Sequence, residues 1–207
     1  MRRVLLVLAM LATVAFAGNL RLDRPLPVNG TDDDTYQYDD GTAYWLTWGG
    51  LYRGTWFSTG DFGGGGGFSI TQLQFWFYHH SSYPWDTASF YAELWNGDAA
   101  TPTTQLDQTS VTAVHYSPAY ANYSPAIDTE ADMWGLINTE MSAGGWPAVL
   151  GDNTPHAVSH SFFSDDFIVW EPWVIGGSTA NDYFIRATGT IGALDQNTWG
   201  AIKGLYN

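Results

Sequence analysis

The sequence predicts an all-β protein, a two-sheet antiparallel sandwich of jelly-roll type. Three observations carry that prediction. Short aromatic and β-branched runs recur along the chain, each of strand length, at 35–39, 44–48, 51–58, 68–78, 88–95, 105–115, 156–163, 167–175, 182–188 and 198–206. Turn residues separate them, at Gly49-Gly50, Gly63 to Gly67, Asn96-Gly97-Asp98 and Gly176-Gly177. Composition agrees: 23 Gly, 11 Trp, 12 Tyr and 11 Phe in 207 residues make a chain too apolar for disorder and too rich in turns and rings for a helix bundle.

The first element is a leader. Arg2 and Arg3 precede an apolar run from Val4 to Phe16, and Ala15-Phe16-Ala17 has the small-residue pattern of a cleavage site. Residues 1–17 therefore read as a secretory signal peptide, with Gly18 the first residue of a secreted, extracellular or cell-surface chain. The run is too short to span a bilayer and no later stretch is longer, so no membrane insertion is expected after cleavage. There is no cysteine. Disulfides, thiol catalysis and cysteine-ligated zinc are excluded. The net charge of -14 disfavours nucleic acid and anionic lipid as partners.

Residues 18–34 read as an arm and a loop. Leu20, Leu22, Leu26 and Val28 share one parity, while Pro25 and Pro27 on the other remove hydrogen-bond donors, as on a sheet edge. Residues 35–207 read as one sandwich domain. Residues 116–155 break the strand rhythm and read as a long insertion. Within it Asp128 or Thr129 caps a short helix with Met133, Ile137 and Met141 on one face, ended by Gly144-Gly145.

Two strands show which way they face. Leu73, Phe75 and Phe77 alternate with Gln72, Gln74, Trp76 and Tyr78. Phe90, Ala92 and Leu94 alternate with Tyr91, Glu93 and Trp95. If the two strands are neighbours, Gln72, Gln74, Trp76, Tyr78, Tyr91, Glu93 and Trp95 form one surface suited to sugars: rings stack on C–H faces, and amides and carboxylates bond hydroxyls. The alternative is that the insertion covers this face as a second core.

Catalysis has thin support. Glu93 and Glu171, each flanked by rings, are the candidate carboxylate pair of a glycoside hydrolase. Size, secretion and ring content are similar to those of small β-jelly-roll xylanases and endoglucanases, but the motifs around both residues differ from theirs. No G-x-S-x-G and no H-E-x-x-H occurs. His156 and His160 on a strand would share a face yet stand about 13 Å apart, too far to share a metal. Asp32, Asp33, Asp34, Asp39 and Asp40 could supply oxygen ligands to a structural calcium, the single cofactor the sequence suggests.

The string Tyr38-Asp39-Asp40-Gly41-Thr42-Ala43 opens the sandwich. Ile70-Thr71, Pro102-Thr103-Thr104-Gln105-Leu106 and Asp182-Tyr183-Phe184-Ile185 follow in order. The order resembles the β-sandwich modules of large secreted bacterial proteins that begin with a "YDDGT" string, often beside sorting tails. The resemblance covers 36–106 and 167–188. It implies a fold and an extracellular place, and brings no catalytic residues with it.

The expected function is that of a secreted, non-catalytic structural subunit. Its surplus of rings marks interfaces. Copies of the chain would be its partners, joined into a filament by exchange of the N-terminal strand. The alternative is a glycan-binding or adhesive module. A glycoside hydrolase is the third reading.

Overall fold

Period-two alternation along the strands produces two apolar faces, and the core lies where those faces meet. The computed structural model describes residues 18–25, 35–175 and 181–192. Among these, the strands are β1 (Gly18–Pro25), β2 (Thr35–Tyr36), β3 (Thr42–Trp48), β4 (Tyr52–Ser58), β5 (Phe68–Trp76), β6 (Ser89–Gly97), β7 (Pro102–Thr112), β8 (Pro118–Asp128), β9 (Asp132–Asn138), β10 (Val149–Gly151), β11 (Ser161–Ser164), β12 (Glu171–Pro172) and β13 (Ile185–Ile191). One 3-10 turn, Thr59–Phe62, follows β4.

The strands form a six-stranded sheet in the order β12-β11-β4-β9-β6-β7, a four-stranded sheet β2-β13-β5-β8 and a three-stranded sheet β1-β3-β10. Every pairing within them is antiparallel. The larger two sheets face each other. Leu73 and Phe75 of β5, with Phe77 just beyond it, meet Phe90, Ala92 and Leu94 of β6. Met133 and Ile137 of β9 and Ile185 and Ala187 of β13 complete the cluster. Phe90 touches both Phe75 and Phe77, with ring centroids 5.4 and 4.9 Å apart. The third sheet covers part of the other side of the four-stranded one. There Leu46 of β3 and Leu150 of β10 bury Trp76 and Phe184 in a second core.

The chain is thus the all-β, antiparallel sandwich read from its sequence, with one correction inside it. Residues 116–155 are not an insertion carrying a helix. They contain β8, β9 and β10, and β9 lies in the middle of the largest sheet. The spacing of Met133 and Ile137 is the reason for the misreading. Residues four apart share a face in a strand as well as in a helix. Here the intervening Trp134 and Leu136 point the other way, into a separate cluster.

The arm supplies an edge strand, as expected. β1 pairs with β3 of its own chain, with Leu20 opposite Leu46 and a register irregularity between Arg21 and Arg24 that includes Leu22. Leu26, Val28, Asp32, Asp33, Asp34, the leader 1–17 and the expected strand 198–206 lie outside the described residues.

Phe90→Ala should cost about 3–5 kcal/mol, because its ring is fully buried against both sheets. Chemical denaturation reads this as a lower midpoint with an unchanged slope. A loss under about 1 kcal/mol would mean that the contact is not central.

Candidate functional site

The ring surface expected from the sequence is divided between two sheets. β5 and β6 are not neighbours; they lie across the core from each other. Their second faces must then look in opposite directions. On β5, Trp76 is 1% exposed, buried by the third sheet, and donates its indole N–H to Gln74 Oε1 at 3.1 Å. Gln72 donates to Asn122 Oδ1 at 2.7 Å and Gln74 to the Tyr120 hydroxyl at 3.4 Å. Tyr78 packs half-buried on the second core. In this half of the expected surface Trp76 is internal, while Gln72, Gln74 and Tyr78 stay partly exposed.

The other half survives on the outer face of the six-stranded sheet. Glu93 is 2% exposed and its carboxylate collects three side-chain donors. Asn138 and Gln108 donate to Oε1, each at 2.8 Å, and the Trp95 indole donates to Oε2 at 2.7 Å. Register explains the convergence. Glu93 stands opposite Gln108 on β7, and Asn138 sits opposite the neighbouring Tyr91. These residues floor an open cleft of about 350 Å³, walled by Tyr52, Trp95, Gln105, Glu140 and Phe167.

The adjoining part of the same face is closed. Trp134, Leu136 and Phe162 are covered by Trp56, Trp95, Phe167 and Trp170. Gly54 makes the close packing possible, since a Cβ there would stand 2.1 Å from Leu136 Cδ2. Phe167 reaches the cleft from a tight turn and has a φ of 64°. Ser164 Oγ accepts from the Phe167 N–H at 3.0 Å, and Asp166 Oδ1 accepts from the Ile168 and Val169 N–H groups at 2.8 and 3.0 Å. Phe167 then lies 4.8 Å from the Tyr52 ring and 4.7 Å from the Trp95 ring.

Glu171 does not join Glu93. It is exposed on β12, four strand spacings from β6, roughly 19 Å away. Successive register partners place it level with Ala92 rather than Glu93. The two carboxylates are therefore not the facing pair, about 5–9.5 Å apart, that glycoside hydrolysis uses.

A second polar cluster lies where the sheets meet. Asp39 is fully buried and accepts from Arg186 through both carboxylate oxygens, at 2.9 Å from Nε and 2.5 Å from Nη2. Asp40 accepts from the Thr42 N–H and the Thr154 hydroxyl. Both of these calcium candidates are committed to internal bonds. Beside them Asp152, His156 and Asp182 gather, with ligand atoms all within 4.8 Å of one another. Burial, helped by repulsion from neighbouring carboxylates, pushes the carboxyls of Asp152 and Asp182 up to about 7. The expectation for His156 and His160 needs correction as well. β11 begins only at Ser161, and the two rings lie 6.4 Å apart. His160 turns instead to Asp61, 3.4 Å from its Nε2, and stacks on Tyr38 at 3.6 Å.

No family model, no characterised protein and no solved structure matches the chain. The roles of these residues therefore rest on their geometry.

Sequence reading missed Tyr52, Gln105, Gln108, Asn138, Glu140 and Phe167 at the cleft, and Asp152 and Asp182 at the junction. Asn138 and Glu140 were hidden by the helix assignment. The parity of Gln108 opposite Glu93 was present in the 105–115 run, but the pairing of the two strands was not.

Removing one partner of a buried charge pair strands the other. Arg186→Met should therefore destabilise the fold by about 3–5 kcal/mol, and adding Asp39→Asn should restore much of that loss. Urea titration of both variants checks this. A double variant no more stable than the single one would refute it.

Proposed function

We propose that the chain is a glycan-binding protein whose contact is the Glu93 cleft, working outside the cell as the leader-like first 17 residues suggest. The observation that carries this reading is the combination at the cleft. A nearly buried acceptor is held by three side-chain donors on the floor, and the rings of Tyr52, Trp95 and Phe167 stand around it. A sugar presents both chemistries at once. Its C–H faces lie flat on rings, and its hydroxyls bridge amide and carboxylate groups. Gln105, Gln108 and Glu140 line the cleft where those hydroxyls would meet them. The floor is fixed by its own hydrogen bonds, so little side-chain entropy is lost on binding. The volume lies at the small end of the range for ligand sites, which fits one or two sugar rings rather than a buried oligomer.

The self-assembly expectation rested on the surplus of rings and on an arm that leaves its own sandwich. Gly18–Pro25 lies along β3 of the same chain, so strand exchange has no support from the described arm, and the cleft is the better-founded reading. No observation favours glycoside hydrolysis.

Affinity electrophoresis in gels cast with soluble β-glucan, xylan or glycol chitin tests the proposal. At least one polymer should retard the native protein. Trp95→Ala and Gln108→Ala should each weaken retention by about 1–3 kcal/mol, roughly 5- to 150-fold. Tyr120→Ala, on the opposite sheet, should not change it. Equal retention of all three variants, or none by the native chain across the panel, would sink the reading.

A further inference from the structure

We propose that Asp152, His156 and Asp182 form a binding site for one divalent transition-metal ion of the zinc type, which fastens the junction between the three-stranded and four-stranded sheets. The ligand atoms lie within 4.8 Å of one another, with His156 Nε2 only 3.2 Å from Asp182 Oδ2. Around a tetrahedral ion with bonds of about 2.0–2.2 Å, ligand atoms stand roughly 3.3–3.6 Å apart. Small side-chain rotations cover the difference.

Proximity of acids alone would carry nothing; two further observations point to a cation. Asp182 is fully buried and its Oδ2 has no hydrogen-bond partner. His156 Nε2 has none either, although the two atoms are close enough for an ion pair. They approach each other without the alignment of a hydrogen bond. An orphaned buried carboxylate oxygen is costly in a folded protein. Two lone-pair atoms converging in this way are accounted for by a shared ion.

The remaining contacts hold the ligands in place, as outer partners do in metal sites. Ser161 Oγ donates to Asp182 Oδ1 at 3.0 Å, which leaves Oδ2 for the ion. The Asp182 N–H donates to Asp152 Oδ1 at 2.8 Å, and the Asp40 N–H approaches Oδ2 at 3.3 Å. Among the described side chains, neither arginine is left for the task. Arg186 is engaged by Asp39, and Arg53 donates to the Thr47 and Gly145 carbonyls.

The donor set selects the ion. Calcium and magnesium favour all-oxygen shells, whereas an imidazole nitrogen with carboxylates suits zinc and its neighbours. One neutral imidazole and two carboxylates carry two negative charges, which a divalent ion neutralises. The His156 side chain is 28% exposed, which gives the ion a path in and a place for a solvent ligand. Asp152 directly follows β10 and Asp182 precedes β13, so the ion would join two sheets in a chain that has no disulfide.

The test is calorimetric titration of Zn²⁺ into full-length, chelator-treated protein, with melting temperature and Co²⁺ absorption as further readouts. One ion per chain should bind, raise the melting temperature by mass action and give Co²⁺ the visible bands of a protein-ligated ion. His156→Ala and Asp182→Asn should each weaken binding at least about tenfold and remove the thermal shift. Should Asp182→Asn fail to fold, His156→Ala decides, because it trims a partly exposed side chain. Unchanged affinity in His156→Ala would place the ion elsewhere, for example on His79, His80 or His115, and overturn the assignment. So would the absence of saturable Zn²⁺ binding, or a preference for Ca²⁺.

Discussion

Phe90 holds the two halves of this molecule together, and its position constrains everything outside the core. Because its ring lies against Phe75 and Phe77, β5 and β6 face each other through the core. Alternation then sends the second face of each strand outward on opposite sides of the sandwich. One such face is covered in part by the third sheet, where it becomes a small core around Trp76. The other remains partly open and becomes the cleft around Glu93. The same type of sequence, rings alternating with amides and acids, has opposite fates because only one face has a sheet available to cover it.

The acidic chain solves a second problem at the sheet junction. A sandwich without cysteine has to fix its corners with polar contacts. The Tyr38-to-Thr42 string does this residue by residue. Tyr38 stacks on His160. Asp39 binds Arg186 across the sheet boundary. Asp40 closes the turn on the Thr42 N–H, and Gly41 takes the left-handed conformation the turn requires, with a φ of 80°. The string is thus a structural corner. Its acids are occupied by Arg186, Thr42 and Thr154, while Asp152 and Asp182 next to them are crowded by carboxylates, with His156 beside Asp182.

How much of this was legible follows from what alternation encodes. Leu73, Phe75, Phe90, Ala92 and Leu94 declared their core faces because each strand carries its own parity signal. Strand pairing has no such local signal. It depends on contacts between segments far apart in the chain, so nothing in 68–78 or 88–95 showed that the two lie in different sheets. Met133 and Ile137 exposed a second weakness, since a spacing of four fits strand and helix alike. Asp182 shows a third. In the sequence it is one acid at the start of a strand, and only the return of β10 beside it brings Asp152 and His156 within reach.

Phe167 links the architecture to the cleft. A bulky side chain at positive φ is strained, and such a conformation persists only where its surroundings over-determine it. Here the surroundings are specific. The Ser164 hydroxyl and the Asp166 carboxylate take up successive backbone N–H groups, and Tyr52, Trp95 and Trp170 receive the ring. A relaxed turn would release Phe167 from the wall of the cleft and uncover Trp134 and Leu136 beneath it. The strain is therefore offset by two things at once, closure of a hydrophobic cluster and construction of an edge for the cleft. The floor has the same character. Asn138, Gln108 and Trp95 are each spent on Glu93 rather than left to reorganise. The floor and the Phe167 wall are thus ordered by the fold itself, and a site ordered in advance loses less entropy on taking up any ligand.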